Sequence, residues 1–386
     1  MKLMSVITTL NPAHGGPVEC AIQLNKNLTA QGHTYDVVTL DRPDAAWNKK
    51  LPFEPICLGS GHPRADLMQP SLVRFLKQNQ SAYDGSIFHG IWTVPNVAMR
   101  FAWDGKHPYV VFSHGMLDPY FIHNFPLKHI KKSLFYRTIA APVLSRAIAT
   151  LFTCEEELRL ASTSYKPAVG NRIVVRYGIN PPAMNPQQYS GRLLELKDRL
   201  AGKDVVLFLG RIHPKKGCDM LVEAMAKLVK RFPRAHAVIA GPDQTGSQEK
   251  LQKLAAARDV ESNITWTGPV YGDEKWFLYN LADAFILPSH MENFGLTVAE
   301  ALSQSRPVLI SDKVNIYRSI MKETTGYVAA DSVSGTLQLL ERWYETPQEE
   351  RERMNLRARQ QFEQEFQAKH TAEDVLRAFE TNLARN

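Results

Sequence analysis

Leu281-Ala282-Asp283-Ala284-Phe285-Ile286-Leu287-Pro288-Ser289-His290-Met291-Glu292-Asn293-Phe294-Gly295-Leu296, running on to Arg306, carries a strand, a polar loop and a helix start in one stretch. Ala284–Leu287 is a short apolar run stopped by Pro288, the pattern of a buried strand. Ser289–Asn293 is polar and turn-like. Leu296, Val298, Ala299 and Leu302 recur at helical spacing, which predicts a helix from near Phe294. The N–H groups of Phe294, Gly295 and Leu296 would then lack intrahelical partners, at the positive end of the helix dipole. Such an end suits phosphate or polar hydroxyls, and Gly295 lets a ligand approach the backbone. Glu292 stands at the mouth of this feature, and Glu300 lies about two helical turns further on. Two carboxylates here suit a polyhydroxylated ligand, a sugar on one side and a ribose on the other. The competing reading makes Glu292 a dipole partner and Glu300 a solvated helix residue.

The bounds around this stretch are those of an ordinary water-soluble chain. At 386 residues it exceeds one common core, so two domains are expected. The net charge of +7 and pI near 9.1 fit nucleic acid, an anionic membrane surface or phosphorylated substrates. No nucleic-acid-binding module is recognisable and the basic residues are dispersed, so a nucleic-acid partner is not expected. Cys20, Cys57, Cys154 and Cys218 are scattered without a C-x-x-C pair and read as reduced, mostly buried residues of a cytoplasmic protein. Met1–Ile7 reads as a first strand rather than a signal peptide, and no apolar run reaches the ~20 residues that span a bilayer.

Strands and helices alternate along the whole chain. Strands are expected at 3–9, 35–40, 86–88, 109–112, 148–152 and 172–176. A glycine loop and a helix over 18–30 join the first two of them, a βαβ opening with a parallel sheet. A single basic, aromatic-rich helix is expected over 125–146. The pattern breaks near Gly178–Pro182, and 183–190 reads as a linker. A second alternation follows, with strands at 205–209, 236–240, 264–267, 284–287 and 307–310. Helices are expected at 218–232, 248–258 and 274–281, with an amphipathic one at 370–383. The domains are therefore set at 1–182 and 183–369, both α/β, Rossmann-like and doubly wound. Ligands of such sheets bind at the carboxyl ends of the strands, so a cleft between the two is the expected site.

Three groups of residues carry chemistry. Gly210-Arg211-Ile212-His213-Pro214-Lys215-Lys216-Gly217 follows a strand and brings fixed cations into a loop that enters a helix, which suits a diphosphate leaving group. It also reads as a basic surface loop. Gly15-Gly16, after the first strand, offers unobstructed N–H donors or simply a flexible turn. His114, in Ser113-His114-Gly115 at a strand end, can bond a sugar hydroxyl or phosphate, or be structural. His14, His33, His89 and His213 have no spacing that assembles a metal site, and no metal is expected.

Taken together, the motifs resemble those of the family 4 glycosyltransferases, retaining enzymes of the GT-B fold that use sugar nucleotides. The resemblance runs over nearly the whole chain: Gly15-Gly16-Pro17, Gly32-His33 and Ser113-His114-Gly115, then Gly210-Arg211 with Pro214-Lys215-Lys216-Gly217, Ala240-Gly241-Pro242, Thr267-Gly268, Ala282-Asp283-Ala284, Pro288-Ser289, and Glu292 followed by Glu300. It implies that Arg211 and Lys216 hold the donor diphosphate, that Glu292 and the backbone of Asn293, Phe294, Gly295 and Leu296 contact the donor sugar, and that Glu300 binds the ribose. It also implies that His114 lines the site beside the sugar, that the Gly15-Gly16 loop approaches phosphate and acceptor, and that Gly210, Gly241 and Ser289 frame the donor. Helix 370–386 is expected to pack on the first domain. Tyr177-Gly178-Ile179-Asn180 departs from the Asn-Gly-Ile/Val-Asp of many relatives. No Asp-x-Asp metal motif follows a strand.

The expected reaction is hexosyl transfer with retention, from a nucleotide sugar such as UDP-glucose to a glycan or lipid-linked glycan, in bacterial cell-surface or exopolysaccharide synthesis. It needs no cofactor. Arg211 and Lys216 would stabilise the departing diphosphate while Glu292 orients ring hydroxyls. Residues 125–146 read either as a solvated basic face or as a surface that rests on an anionic membrane. The alternatives are a sugar-nucleotide epimerase of the same architecture and a non-catalytic sugar-nucleotide-binding subunit.

Overall fold

A computed structural model of the chain describes residues 1–59, 70–120, 126–182 and 191–384. It divides into two compact units, 1–180 with 367–386, and 181–366. The linker expected at 183–190, Phe125 and residues 385–386 lie outside the described residues.

The first unit is built on seven strands: β1 (Lys2–Ile7), β2 (Thr34–Thr39), β3 (Ile56–Cys57), β4 (Gly85–His89), β5 (Tyr109–Phe112), β6 (Ala149–Phe152) and β7 (Arg172–Val174). They pair in the order β3-β2-β1-β4-β5-β6-β7, every pair parallel. The second unit carries β8 (Asp204–Leu209), β9 (Ala235–Ala240), β10 (Ile264–Gly268), β11 (Ala284–Leu287), β12 (Val308–Ser311) and β13 (Gly326–Ala329). These pair in the order β10-β9-β8-β11-β12-β13, again all parallel. The central strands are buried along their length because helices cover both faces, as parallel sheets require. In each sheet the winding reverses once, between β1 and β4 and between β8 and β11, and those switch points are where such folds leave a crevice for ligands.

Several details depart from the sequence expectations. β3, two residues long, is too short to be announced, and β13, Gly-Tyr-Val-Ala, opens on a glycine and is half-buried, so it lacks the continuous apolar run of its neighbours. The helix expected over 125–146 is Pro126–Phe135, a π-helical turn Tyr136–Ala140, and Ala141–Arg146. Pro142 has no N–H to continue the ladder, and the wider turn before it absorbs the break. The helix after β11 is Leu296–Ser303, starting two residues later than expected because Gly295 takes a left-handed conformation, φ +79°, and acts as its N-cap.

The last helix, Ala368–Leu383, belongs to the first unit. Ala372, Val375, Leu376 and Phe379 bury its apolar stripe. The Phe379 ring covers Gly85, where an added Cβ would lie 2.3 Å from it. Arg176 adds a polar clamp, its guanidinium donating to both oxygens of Asp374 at 3.0 and 2.7 Å.

Candidate active site

In the second unit the loops after β8 and β11 are joined backbone to backbone. The His290 N–H donates to the Lys215 carbonyl at 2.8 Å. Gly217 follows the short helical turn Pro214–Lys216 with φ +70°, and a Cβ there would sit 2.2 Å from the Pro288 carbonyl oxygen. Only glycine permits that approach, so Lys216 is delivered to the loop after β11 by the backbone itself. Its ammonium forms an ion pair with the Glu292 carboxylate. Glu292 is fixed from its other side, its N–H donating to Lys313 O at 2.9 Å and its carbonyl accepting from Asn315 N–H at 3.0 Å.

The other predicted residues of the second unit lie in the same two loops, in the loop after β9 and on the helix Leu296–Ser303. Gly295 opens the helix Leu296–Ser303, and among the described residues the N–H groups of Gly295, Leu296 and Thr297 have no protein acceptor. Phe294 is buried against Phe366 and Asn293 faces Asn315 at 3.5 Å. Ser289 is buried, and its hydroxyl has no partner among the described residues. Gly210 and Gly241 are packed face to face: a Cβ on Gly241, at φ +139°, would meet the Gly210 oxygen at 1.9 Å. Arg211 is exposed and donates to Gln244 Oε1 at 3.0 Å. His213, beside three cations, is pushed below the usual imidazole range by burial first and then by Lys215, Arg211 and Lys216.

Glu300 is buried one helical stretch beyond Glu292, with Lys275 at 2.6 Å and the Tyr279 hydroxyl at 2.8 Å. Sequence reading missed both partners, because they come from the neighbouring helix Asp273–Leu281 and share no motif with Glu300.

Gly15, Gly16 and His114 lie in the first unit. Gly15, at φ +68°, caps the helix Gly16–Ala30, and the Tyr177 hydroxyl donates to the Gly16 carbonyl at 3.0 Å. His114 follows β5 with φ +49°, left-handed for a residue with a side chain. A buried carboxylate holds this turn in place. Glu157 accepts from Gly115 N–H at 2.6 Å, from Thr153 N–H at 2.7 Å and Thr153 Oγ1 at 2.6 Å, and from the Ser113 hydroxyl. Sequence reading missed Glu157. It sits at the third position of the helix Glu155–Ser164 as in a capping box, but the cap residue is Cys154 where Ser or Thr would have announced it. His114 Nε2 is 3.0 Å from His89 Nδ1, and His89 Nε2 is 3.1 Å from Ser5 Oγ. Burial drives His89 down to about 3 and His114 well below the usual range, so both rings are neutral at physiological pH.

Two sequence models of known families match these two units in turn. The model described as "Glycosyl transferase 4-like domain" covers residues 15–178, and "Glycosyl transferases group 1" covers 197–361. The chain, covered by the two models together over most of its length, belongs to the family 4 type of glycosyltransferases. Among curated relatives of this glycosyltransferase, a D-inositol 3-phosphate glycosyltransferase of Nocardia farcinica is 35% identical over 130 residues, 32% of this chain and 29% of the relative. An alpha-D-kanosaminyltransferase of Streptomyces kanamyceticus is 32% identical over 139 residues, 36% of each chain. These alignments span about a third of the curated relatives' own length. The glycosyltransferase also shares its fold with solved structures over full length. A sucrose-phosphate synthase from Thermosynechococcus elongatus superposes with TM-score 0.76 at 18% identity, covering 100% of both chains. HepE of Anabaena, in complex with UDP and glucose, does so with TM-score 0.72 at 16% identity, covering 99% of this chain and 100% of that one. Both units are therefore of the GT-B glycosyltransferase type.

Proposed function

We propose that the protein transfers a hexose, with retention, from a nucleotide sugar to a glycan or lipid-linked glycan, the donor being UDP-glucose or a similar UDP-hexose. The observation that carries this reading is the Lys216–Glu292 pair beside the open N-terminus of Leu296–Ser303. A cation, a carboxylate and unpaired backbone donors at one switch point match a diphosphate attached to a polyhydroxylated ring. Arg211 and Lys216 would neutralise the departing diphosphate, and Glu292 would hold ring hydroxyls as the glycosyl–phosphate bond loosens. Glu300, held by Lys275 and Tyr279, would accept the hydroxyls of a ribose. His114, neutral and held by the Glu157 clamp, would bond a sugar hydroxyl. The neighbour that holds UDP and glucose supports the donor class. No resident metal is proposed for the transfer, since these cations can meet the diphosphate charge.

A peripheral membrane contact on the cytoplasmic side belongs to the same proposal. Ile130 and Leu134, exposed on the helix Pro126–Phe135, stand with exposed Lys131 and Arg137, a mixture suited to an anionic bilayer surface. Lys132 and Arg146 are instead laid over Trp92 and Trp103. The side chain of Lys128 lies outside the described residues. No described helix is long and apolar enough to cross a membrane.

Thermal unfolding with UDP, GDP, ADP, dTDP and their sugars, without added metal, tests the donor assignment. UDP or a UDP-hexose at a hundred times its dissociation constant should stabilise the protein by about 2.7 kcal/mol. Arg211→Ala should remove that shift. No stabilisation by any nucleotide would overturn the reading. The anomeric coupling of the product, read by NMR, decides between retention and inversion, and sedimentation with anionic vesicles tests the membrane contact.

A further inference from the structure

Cys20, His89 and His114 are separated by 69 and 25 residues in sequence, far from any metal-binding spacing. The first switch point brings them together: Cys20 from the helix Gly16–Ala30, His89 from the end of β4, His114 from the turn after β5. The Cys20 sulfur and one nitrogen from each ring lie within 4.8 Å of one another. We propose that these three side chains form a binding site for a thiophilic divalent cation, zinc being the ion whose ligand preferences they match.

The donor set and its setting both argue for this. One sulfur and two imidazole nitrogens suit Zn²⁺, which takes four ligands in a tetrahedron and in open sites leaves the fourth to water or substrate. With Zn–N near 2.0–2.1 Å and Zn–S near 2.3 Å, ligand atoms stand roughly 3.3–3.7 Å apart. His89 Nδ1 and His114 Nε2, at 3.0 Å, are already within a few tenths of an ångström of that spacing. The far nitrogen of His89 rests on the Ser5 hydroxyl at 3.1 Å, which orients the ring and can accept its N–H when the inner nitrogen binds an ion. The rings of His89, His114 and Phe112 lie near-parallel with centroids 5.2–5.6 Å apart, each packed against the other two. His114 is half-buried and gives an ion a path in, whereas Cys20 and His89 are buried.

Binding balances without a redox step. The Cys20 thiol gives its proton to solvent as the S–Zn bond forms, and the one proton between the two rings passes to the outer nitrogen of the ring that carried it, the other ring already holding its proton on its outer nitrogen. Sulfur and imidazole donors favour a thiophilic ion over the harder Mg²⁺, which takes oxygen ligands. A bound ion also takes the His114 nitrogen assigned above to a sugar hydroxyl. The site is therefore inhibitory, a consequence that rests on the reading in the preceding subsection.

Cobalt titration of the full-length protein tests the site without reference to turnover. One equivalent of Co²⁺ should produce a thiolate-to-cobalt charge-transfer band and tetrahedral visible bands, both displaced by one equivalent of Zn²⁺. Cys20→Ser should abolish the charge-transfer band, and Ser5→Ala should weaken binding about tenfold. X-ray absorption at the zinc edge of the unmutated protein should read one sulfur and two imidazoles, whether or not the variants fold. No charge-transfer band from the folded protein, a band that survives Cys20→Ser, or an all-oxygen zinc shell would each overturn the proposal. A saturated site with unchanged turnover would overturn the role of His114 and leave the metal site standing.

Discussion

The ammonium of Lys216, at the end of the turn after β8, is ion-paired with the carboxylate of Glu292 in the loop after β11, with side chains 18% and 20% exposed. Residues expected to serve different parts of the donor thus hold each other, so a diphosphate reaching Lys216 must compete with Glu292. Glu292→Gln should leave nucleoside diphosphate affinity equal or tighter while turnover falls about a hundredfold, the scale of one lost transition-state contact. Lys216→Ala removes the cation and strands the carboxylate, so it should weaken the diphosphate by about 2–5 kcal/mol as well. Calorimetry beside kinetics separates the two. Unchanged turnover in Glu292→Gln would reject its contact with the sugar.

Glu157 is the point on which the His114 turn depends. Its two oxygens accept four donors, and a carboxamide replaces one of those oxygens with a donor of its own. Glu157→Gln should destabilise the protein by about 2–4 kcal/mol, from charged hydrogen bonds lost and buried donors stranded. In a unit of this size that lowers the melting temperature by roughly 5–10 °C. Turnover should fall even in the fraction that remains folded. A melting curve that superposes on the unmodified protein would show the clamp to be inert.

Both sheets could be read from the chain because parallel strands are continuous apolar runs, such as Val205–Leu209 and Ala284–Leu287, closed by glycine or proline. β3 escaped because two residues offer no pattern, β13 because it opens on Gly326 and is only half-buried rather than a continuous apolar run, and the π turn because Pro142 signals a break but not how it is absorbed. At the site, residues in contiguous motifs were legible: Lys216 and Glu292 each stand in a loop that follows a strand. Residues that meet only through tertiary packing were not. Tyr279 and Lys275 reach Glu300 from another helix, Glu157 acts across 42 residues on Gly115, and Cys20 meets two histidines across three elements.

Gly241 is a backbone requirement that a single methyl group tests. Its φ of +139° lies outside the range of residues with a side chain, and a Cβ would be 1.9 Å from the Gly210 carbonyl oxygen. Gly210 and Gly241 N–H groups also tie β8 to β9 and β9 to β10, at 3.0 and 2.9 Å. Gly241→Ala must push the loop after β8 away or break those bonds, which should cost about 3 kcal/mol or more. The same change at Gly202, also at positive φ but with open space around its Cβ, should cost less, about 1 kcal/mol. Equal melting temperatures for the two variants would contradict this account of the Gly241 turn.

The buried histidines of the first unit set the direction of its acid response. His89, enclosed by Phe112, His114 and Ser5 with Cys20 close by, is driven by burial from 6.5 down to about 3. Unfolded, the same ring takes up a proton near its ordinary value, so between those limits the unfolded chain binds more protons than the folded one. Stability is then complete above pH about 6.5 and falls as pH drops below it, by up to about 1.4 kcal/mol per pH unit for His89 alone. His114, lowered by burial and by the neighbouring His89, adds to the same slope. Thermal unfolding between pH about 7 and pH about 5 should show this decline, and His89→Gln, which cannot be protonated there, should flatten it. Parallel pH profiles for the two proteins would mean that His89 is protonated in the folded state and that the neutral pair beside Cys20 does not exist.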